Sequence, residues 1–287
     1  MNSEKNKILK STLYLVATPI GNLADISERA IKTLSEVDFI AAEDTRNSVR
    51  LLSALGIKKE LVSYHEHNKK SSGERLVARL LSGESCALIT DAGMPAISDP
   101  GEDIVKLCAD AGITVSVVPG ACAAVSALSV SGLATGRFAF EGFLSANKSE
   151  RKKRLEAVKN DDRTLIFYEA PHKLKVTLSD MAQIFGEERK ISLCRELTKL
   201  NEEIMRTTLG GAIAHYDQNE PRGEYVLIVD GFDGEVICDE VLELTSLSPE
   251  EHVRTYEERG LGRMDAIKKA AKDRGMTKSE LYKILNS

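Results

Sequence analysis

Between Thr12 and Val118 the chain alternates short β-branched runs with stretches of helical period, and nothing else in the sequence narrows the fold as much. "TLYLVAT" (12–18) reads as a buried strand. Asp25-x-x-Glu28 has the form of a capping box, opening a helix whose apolar face is Ile26, Ala30, Ile31 and Leu34. "VDFIAA" is a strand, and "NSVRLLSAL" a helix that stops at Gly56. "LVSYHE" is a shorter strand, with a helix from Ser72 to Leu81 after it. "CALIT", a helix through "GEDIVKLCADAG" closed by Gly112, and "ITVSVV" complete the series. Such alternation predicts a mainly parallel sheet with right-handed crossovers and helices on its faces.

Beyond "GACAAVSALSVSGLATG" the apolar runs follow one another with fewer helices between them: "RFAFEGF", "RTLIFYEA", "KISLCREL", "EEIMRTTL" and "EYVLIVDG". A mixed sheet with two or three helices suits them. The expected class is therefore α/β, with a parallel-sheet domain over 1–136, a mixed-sheet domain over 137–231, and an acidic linker with a small helical tail over 232–287. In the tail, Met264, Ile267 and Ala271 share a helical face, Gly275 marks a turn, and Thr277-x-x-Glu280 caps a second helix. The pattern is like a helix-turn-helix, which suits either a nucleic-acid-binding module or a two-helix cap on the main body.

Composition excludes little by itself: 42% hydrophobic and 29% charged residues are those of a soluble globular chain. The net charge of −5 is unevenly spread, because "KSERKKR" (148–154) and residues 263–287 are strongly basic and the remainder is acidic. Cys86, Cys108, Cys122, Cys194 and Cys238 are odd in number and form no CxxC pair, so reduced, mostly buried thiols are expected rather than a zinc site or a disulfide framework. "MNSEKNKILKS" lacks the apolar core of a signal peptide, and no run reaches the ~18 apolar residues of a membrane helix. A cytoplasmic protein without membrane contact is expected.

In open α/β sheets ligands bind where loops converge at the carboxyl ends of strands. Three loops here fit that position: "ATPIGN" (17–22), "TDAGMPAISDPG" (90–101) and "VVPGACAA" (117–124). The second is longer than the two to six residues usual for such a connection, and most of its residues are small, rigid or acidic. In the third, small residues open a helix, so backbone N–H groups can approach an anionic ligand closely. No GxGxxG follows the first strand, and neither a P-loop nor a GxSxG elbow occurs. His65 and His67 in "YHEHN" alternate on a strand-like stretch, but no third ligand accompanies them, so no metal is expected.

"YLVATPIGNLADIS", "AAEDTR", "SYHEHN", "LITDAGMPAISDPG", "VVPGACAAVSALSVSGL", "FEGFLS", "FYEAPHKL", "CRELTK" and "RGEYVLIV" together resemble the tetrapyrrole-methylase superfamily over residues 11–231, and especially its ribosomal RNA branch. The resemblance implies two α/β domains with a cleft that binds S-adenosylmethionine. It also implies 2′-O-methylation of a cytidine ribose in the decoding region of 16S rRNA, on the RNA or the small ribosomal subunit, often by a homodimer. Carried onto this chain, Asp91, Ala92, Gly93, Met94 and Pro95 would wrap the methionine part of the cofactor through backbone groups. Ala121, Cys122 and Ala123 would line it. Tyr168, Glu169, Ala170 and Pro171 would close over the adenine, with Gly223 and Glu224 nearby and Pro19 on the cleft rim.

A ribose hydroxyl is a poor nucleophile at neutral pH, so a general base helps methyl transfer. Glu43 or Asp44 could accept the proton, Arg46 hold a phosphate and His65 orient the ribose; an ion pair within "EDTR" is the plainer alternative. Lys148, Arg151, Lys152, Lys153 and Arg154 are the expected RNA contacts, since phosphate neutralisation needs only clustered positive charge. Two other functions remain open on these residues: methylation of a small tetrapyrrole-like metabolite, and a non-enzymatic nucleic-acid-binding regulator.

Overall fold

The computed structural model describes residues 7–234 and 244–286. Strands β1 (Thr12–Val16), β2 (Phe39–Ala42), β3 (Glu60–Ser63), β4 (Cys86–Ile89) and β5 (Thr114–Val118) form a sheet in the order β3-β2-β4-β1-β5. Every pairing in it is parallel. The crossovers are α1 (Glu28–Glu36), α2 (Thr45–Ala54), α3 (Lys69–Leu81) and α4 (Gly101–Asp110). A parallel sheet covered on both faces needs strands that are apolar throughout. Accordingly all of "FIAA" in β2 and "CALI" in β4 is buried, between a layer with Leu34, Val37 and Leu52 and a layer with Leu76, Leu80 and Ile104.

Local capping moves two boundaries from their expected places. Helix α1 is capped by the Ser27 hydroxyl, which accepts from the Ala30 N–H at 3.1 Å, while Asp25 sits in a separate 3-10 turn. Strand β3 ends at Ser63, not in "YHE": Asn68 accepts from the His65 N–H at 2.8 Å and donates to the Ser63 carbonyl at 3.2 Å, folding the chain out of the sheet. His65 and His67 therefore lie in a turn, and helix α3 starts directly after it at Lys69.

The second sheet holds β6 (Phe138–Phe143), β7 (Thr164–Glu169), β8 (Lys190–Arg195), β9 (Glu203–Thr208) and β10 (Tyr225–Val229), in the order β6-β7-β10-β8-β9. Only β6 and β7 pair in parallel; the other ladders are antiparallel. The helix that follows β5 is α5 (Ala123–Val130); α6 (Lys148–Val158), α7 (Pro171–Phe185) and α8 (Leu209–Gln218) follow in the second half. They build a core around Leu155, Phe167, Leu174, Leu178 and Leu227. Helix α5 belongs to the first half in sequence, yet its Ala124, Ala127 and Leu128 pack on Ile166, Cys194, Val226 and Ile228 of the second sheet. Small side chains let it lie close, and both sheets fall within one compact unit ending at Phe232. Gly136, at the expected domain boundary, lies in the connection between α5 and β6.

The second unit is helical, with α9 (Pro249–Glu258), α10 (Arg263–Asp273) and α11 (Lys278–Ile284) around Val253, Tyr256, Ile267, Ala271 and Leu281. The Thr277–Glu280 capping box and the Gly275 turn stand where expected, with φ of 64° at Gly275. Met264, expected on the apolar face, is instead exposed. Helix α9 has no counterpart in the expected tail, although its own capping box, Ser248 to Glu251 with Pro249 between, is plain in the sequence. Cys86, Cys108 and Cys194 are buried free thiols, Cys122 is half-buried, and Cys238 lies outside the described residues.

Candidate active site

Because every strand of the first sheet runs the same way, the loops after β1, β2, β4 and β5 share one edge. They are tied together there. Thr18 and Gly93 exchange backbone hydrogen bonds of 2.9 and 3.1 Å, and the Thr18 hydroxyl donates to the Thr90 carbonyl at 3.2 Å. Gly93 has φ of 85°, and a Cβ there would stand 3.3 Å from Ile20 Cγ2, so only glycine suits the crossing. Ala96 and Ser98 are also left-handed, with φ of 67° and 65°. Each such non-glycine residue costs roughly 1–3 kcal/mol. Asp99 holds them, since its Oδ1 accepts from the N–H of Ala96 at 2.9 Å and of Gly101 at 2.7 Å. The length of "TDAGMPAISDPG" thus builds a rigid arch.

The second sheet presents its own matching edge. Tyr225 at the start of β10 pairs with Glu169 and Arg195, the last residues of β7 and β8. Between the two edges lies a cavity of about 380 Å³, within the range of small-molecule sites. Asp91, Ala92, Gly93 and Met94 line it from the arch, Cys122 and Ala123 from the start of α5, Tyr168, Glu169 and Ala170 from the end of β7, and Glu224 beside β10. Pro19, Ala121, Pro171 and Gly223 do not line it, and Pro95 lines a smaller neighbouring pocket.

Within that set the side chains differ in what they can offer. Tyr168 accepts from the Ala124 N–H at 3.2 Å and meets Phe140 and Phe143 edge-on, at 5.0 and 5.4 Å. Burial pushes its phenol up to about 12, so it stays neutral. Phe143 and Ile97, both exposed toward the cavity they line, complete an apolar wall suited to a planar base. Glu169, expected over the adenine, is buried and turned back: its oxygens accept from the Ala170 N–H and the Thr177 hydroxyl. It fixes the entry of α7. The Gly93 amide, expected to meet the cofactor, is bonded to Thr18.

Three residues of "CRELTK" that sequence alone assigns no role, Glu196, Leu197 and Lys199, also line the cavity. Lys199 bridges Glu196 and Glu224, each at 2.8 Å. Burial works against its ammonium, but the two carboxylates hold its pKa above the ordinary value. Gly223, at φ of 76°, makes room for this cluster, because a Cβ would stand 2.4 Å from Glu196 Cγ. Gly21 does the same across the cleft, where a Cβ would meet Lys199 Cγ. An acid–base run directly after a strand end is the signal that points here.

The candidate bases separate cleanly. Asp44 caps α2 by accepting from the Arg46 N–H and pairs with the Arg46 guanidinium at 2.8 Å, which holds its carboxyl down at about 2. A carboxylate so firmly ionised is a weak base, and the plainer ion-pair reading applies to it. Arg46 itself stays open to solvent on its outer side. Among the described residues Glu43 has no cationic partner of this kind. Burial raises its carboxyl pKa, a 3.1 Å bond from the Thr90 hydroxyl opposes that, and Asp91 and Asp99 add to the rise. It lines the small pocket with Tyr64, Thr90, Pro95 and Asp99. His65 acts on Glu43 electrostatically, and its Nδ1 is buried without a hydrogen-bond partner among the described residues.

The expected RNA contacts are altered most. Arg151 is buried, paired with the buried Asp180 at 2.8 Å, and donates to the carbonyls of Ser145 and Ala146. It anchors α6 to α7 and cannot meet RNA. Lys152 donates to Gln183, and Arg154 pairs with the buried side chain of Glu141 at 2.6 Å. Lys148 and Lys153 are exposed.

The chain matches the family model of Tetrapyrrole (Corrin/Porphyrin) Methylases over residues 12–213. It belongs to the tetrapyrrole methylase family. Curated relatives named ribosomal RNA small subunit methyltransferase I include those of Halalkalibacterium halodurans, 51% identical over 96% of this chain and 94% of the relative, and Bacillus subtilis, 50% identical over 94% and 92%. That of Escherichia coli O157:H7 is 48% identical over 76% of this chain and 77% of the relative. Among solved structures, the uroporphyrin-III-C-methyltransferase of Thermus thermophilus superposes with a TM-score of 0.55 at 21% identity, covering 76% of this chain and 94% of that one. A diphthine synthase gives 0.59 at 14%, covering 76% and 90%. These structures share the fold. As a tetrapyrrole methylase the chain is an S-adenosylmethionine-dependent methyltransferase, and the cavity suits that cofactor, with an apolar aromatic wall, a glycine crossing and a polar cluster at the far side.

Proposed function

We propose that this tetrapyrrole methylase methylates the 2′-hydroxyl of a cytidine ribose in the decoding region of 16S rRNA, acting on the small ribosomal subunit or its RNA. The observation that carries the reading is likeness over nearly the whole chain, 51% across 96% of it, to a protein named ribosomal RNA small subunit methyltransferase I. The arch from Asp91 to Met94, the start of α5 and the Tyr168 wall hold the cofactor in this reading. Bound S-adenosylmethionine supplies an electrophilic methyl group. Glu43 accepts the proton that the ribose hydroxyl loses as its oxygen attacks, His65 orients the ribose, and Arg46 neutralises a flanking phosphate. The apolar wall of Tyr168 and Phe143 keeps water from the methyl group. Lys148, Lys153 and the outer face of Arg154 meet the RNA backbone, and two copies of the chain work as a homodimer in the cytoplasm.

The test offers labelled cofactor with unmethylated small subunits, naked 16S rRNA and a uroporphyrinogen-type tetrapyrrole in parallel. The expected result is label in 2′-O-methylcytidine; label in the tetrapyrrole overturns the reading. A positioned base contributes about 10²-fold or more, so Glu43→Gln should lower kcat by that factor. Its raised pKa has the opposite effect on stability. A carboxyl raised in the folded state favours folding below its unfolded value near 4.5 and loses that contribution as pH rises through the folded value. Glu43→Gln should therefore unfold at a slightly higher temperature than wild type at pH 7.5 while losing activity.

A further inference from the structure

Asp99 carries two features that loop architecture alone does not need together. Its Oδ1 takes two backbone N–H groups and closes the arch over Ala96 and Ser98. Its Oδ2 is buried with no hydrogen-bond partner among the described residues. An unmatched buried carboxylate oxygen is costly, by several times the worth of an ordinary hydrogen bond, and a plain turn would be served by asparagine. Asp99 also lines the small pocket that Glu43 lines. We propose that Asp99 is a positioning residue for the methyl transfer: one oxygen locks the cofactor loop, and the other, in the pocket that Glu43 lines, helps keep Glu43 a competent proton acceptor.

Resting on the proposed reaction, the proton balance is simple. The ribose O–H bond breaks, the oxygen–methyl bond forms, the carbon–sulfur bond breaks with its electron pair left on sulfur, and the proton goes to Glu43. A base works best when its proton affinity is close to the working pH, and a like charge nearby raises that affinity. Glu43 is faced by Thr90, Asp91 and Asp99 from the loop after β4 and by Tyr64 and His65 from the turn after β3. Tyr64 donates to the Pro100 carbonyl and is pushed up to about 12 by burial, so it carries no charge. Asp91 accepts from Asn47 at 3.0 Å, and Asp44 is neutralised by Arg46. Asp99 is thus the facing carboxylate that carries an unmatched oxygen within this pocket.

The experiment compares wild type, Asp99→Asn and Asp99→Ala. Asparagine retains an oxygen for Ala96 and Gly101 but no charge. For Asp99→Asn the acid limb of the kcat–pH profile should move to lower pH, raising its relative rate severalfold at the acid end, with the KM for cofactor unchanged. Asp99→Ala should raise that KM as the arch loosens. An acid limb that stays in place in Asp99→Asn, with only KM or melting temperature altered, overturns the proposal. Isotope-edited infrared titration of the Glu43 carboxylate in the free protein, assigned with Glu43→Gln, repeats the comparison without substrate. If wild type methylates no RNA, the rRNA reading fails, while the infrared titration still decides whether Asp99 raises the proton affinity of Glu43.

Discussion

The arch after β4 and the basic helix α6 both carry a functional expectation from sequence, yet they keep very different parts of that promise. The arch is defined by its own backbone. Gly93 needs a positive φ, Ala96 and Ser98 are forced into one, and Asp99 closes a span of a few residues. Such local geometry is written in the run of Gly, Pro and Asp that produces it. Helix α6 is defined by partners elsewhere: Arg151 answers Asp180, 29 residues away, and Arg154 answers Glu141 on β6. A charge run announces positive residues and says nothing about which of them folding has already used. Loops can therefore be read for function more safely than charges.

The largest test of this contrast is Arg151→Ala. Removing one partner of a buried ion pair costs about 3–5 kcal/mol, so thermal or urea unfolding should show a loss of that size. An unchanged midpoint would return Arg151 to the RNA-contact group. Next comes Gly93→Val, where a left-handed β-branched residue costs roughly 1–2 kcal/mol and meets Ile20. Cofactor affinity should fall about tenfold, as 1.4 kcal/mol implies. The smallest effect is expected from reversing Lys148 and Lys153 together to Glu. Melting temperature and cofactor affinity should not move, and the salt slope of RNA binding should drop by about 1 for each phosphate left without its lysine. An unaltered slope would leave α6 with no part in RNA binding.

How much was legible follows the same division. All ten strands among the described residues are foreshadowed by their apolar runs, and the parallel pairing of the first sheet follows from the helices between its strands. The order β3-β2-β4-β1-β5 does not, because crossovers of that length reach either neighbour. The packing of α5 on the second sheet was not legible, because its alanines suit either neighbour equally well. Nor was the end of β3 at Ser63, which depends on an Asn68 side chain five residues on. Among the residues that line the cavity, Asp91 to Met94, Cys122 and Tyr168 are marked by motif and loop position. The roles of Glu43 and Asp44 could not be separated, since both are acids in "EDTR" and only the Arg46 contact and the burial of Glu43 tell them apart. Lys199 is marked in the sequence only by the acid–base run after β8, and the room for it comes from Gly21 and Gly223, far from it in sequence.

Whether the converging loops, and not the basic helix, form the S-adenosylmethionine site can be decided by titration calorimetry. The cofactor would be titrated into wild type, Gly93→Val and the Lys148/Lys153 reversal. One cofactor should bind per chain, about tenfold more weakly in Gly93→Val and with unchanged affinity in the reversal. Equal affinity in wild type and Gly93→Val, or loss of binding in the reversal, would contradict this assignment.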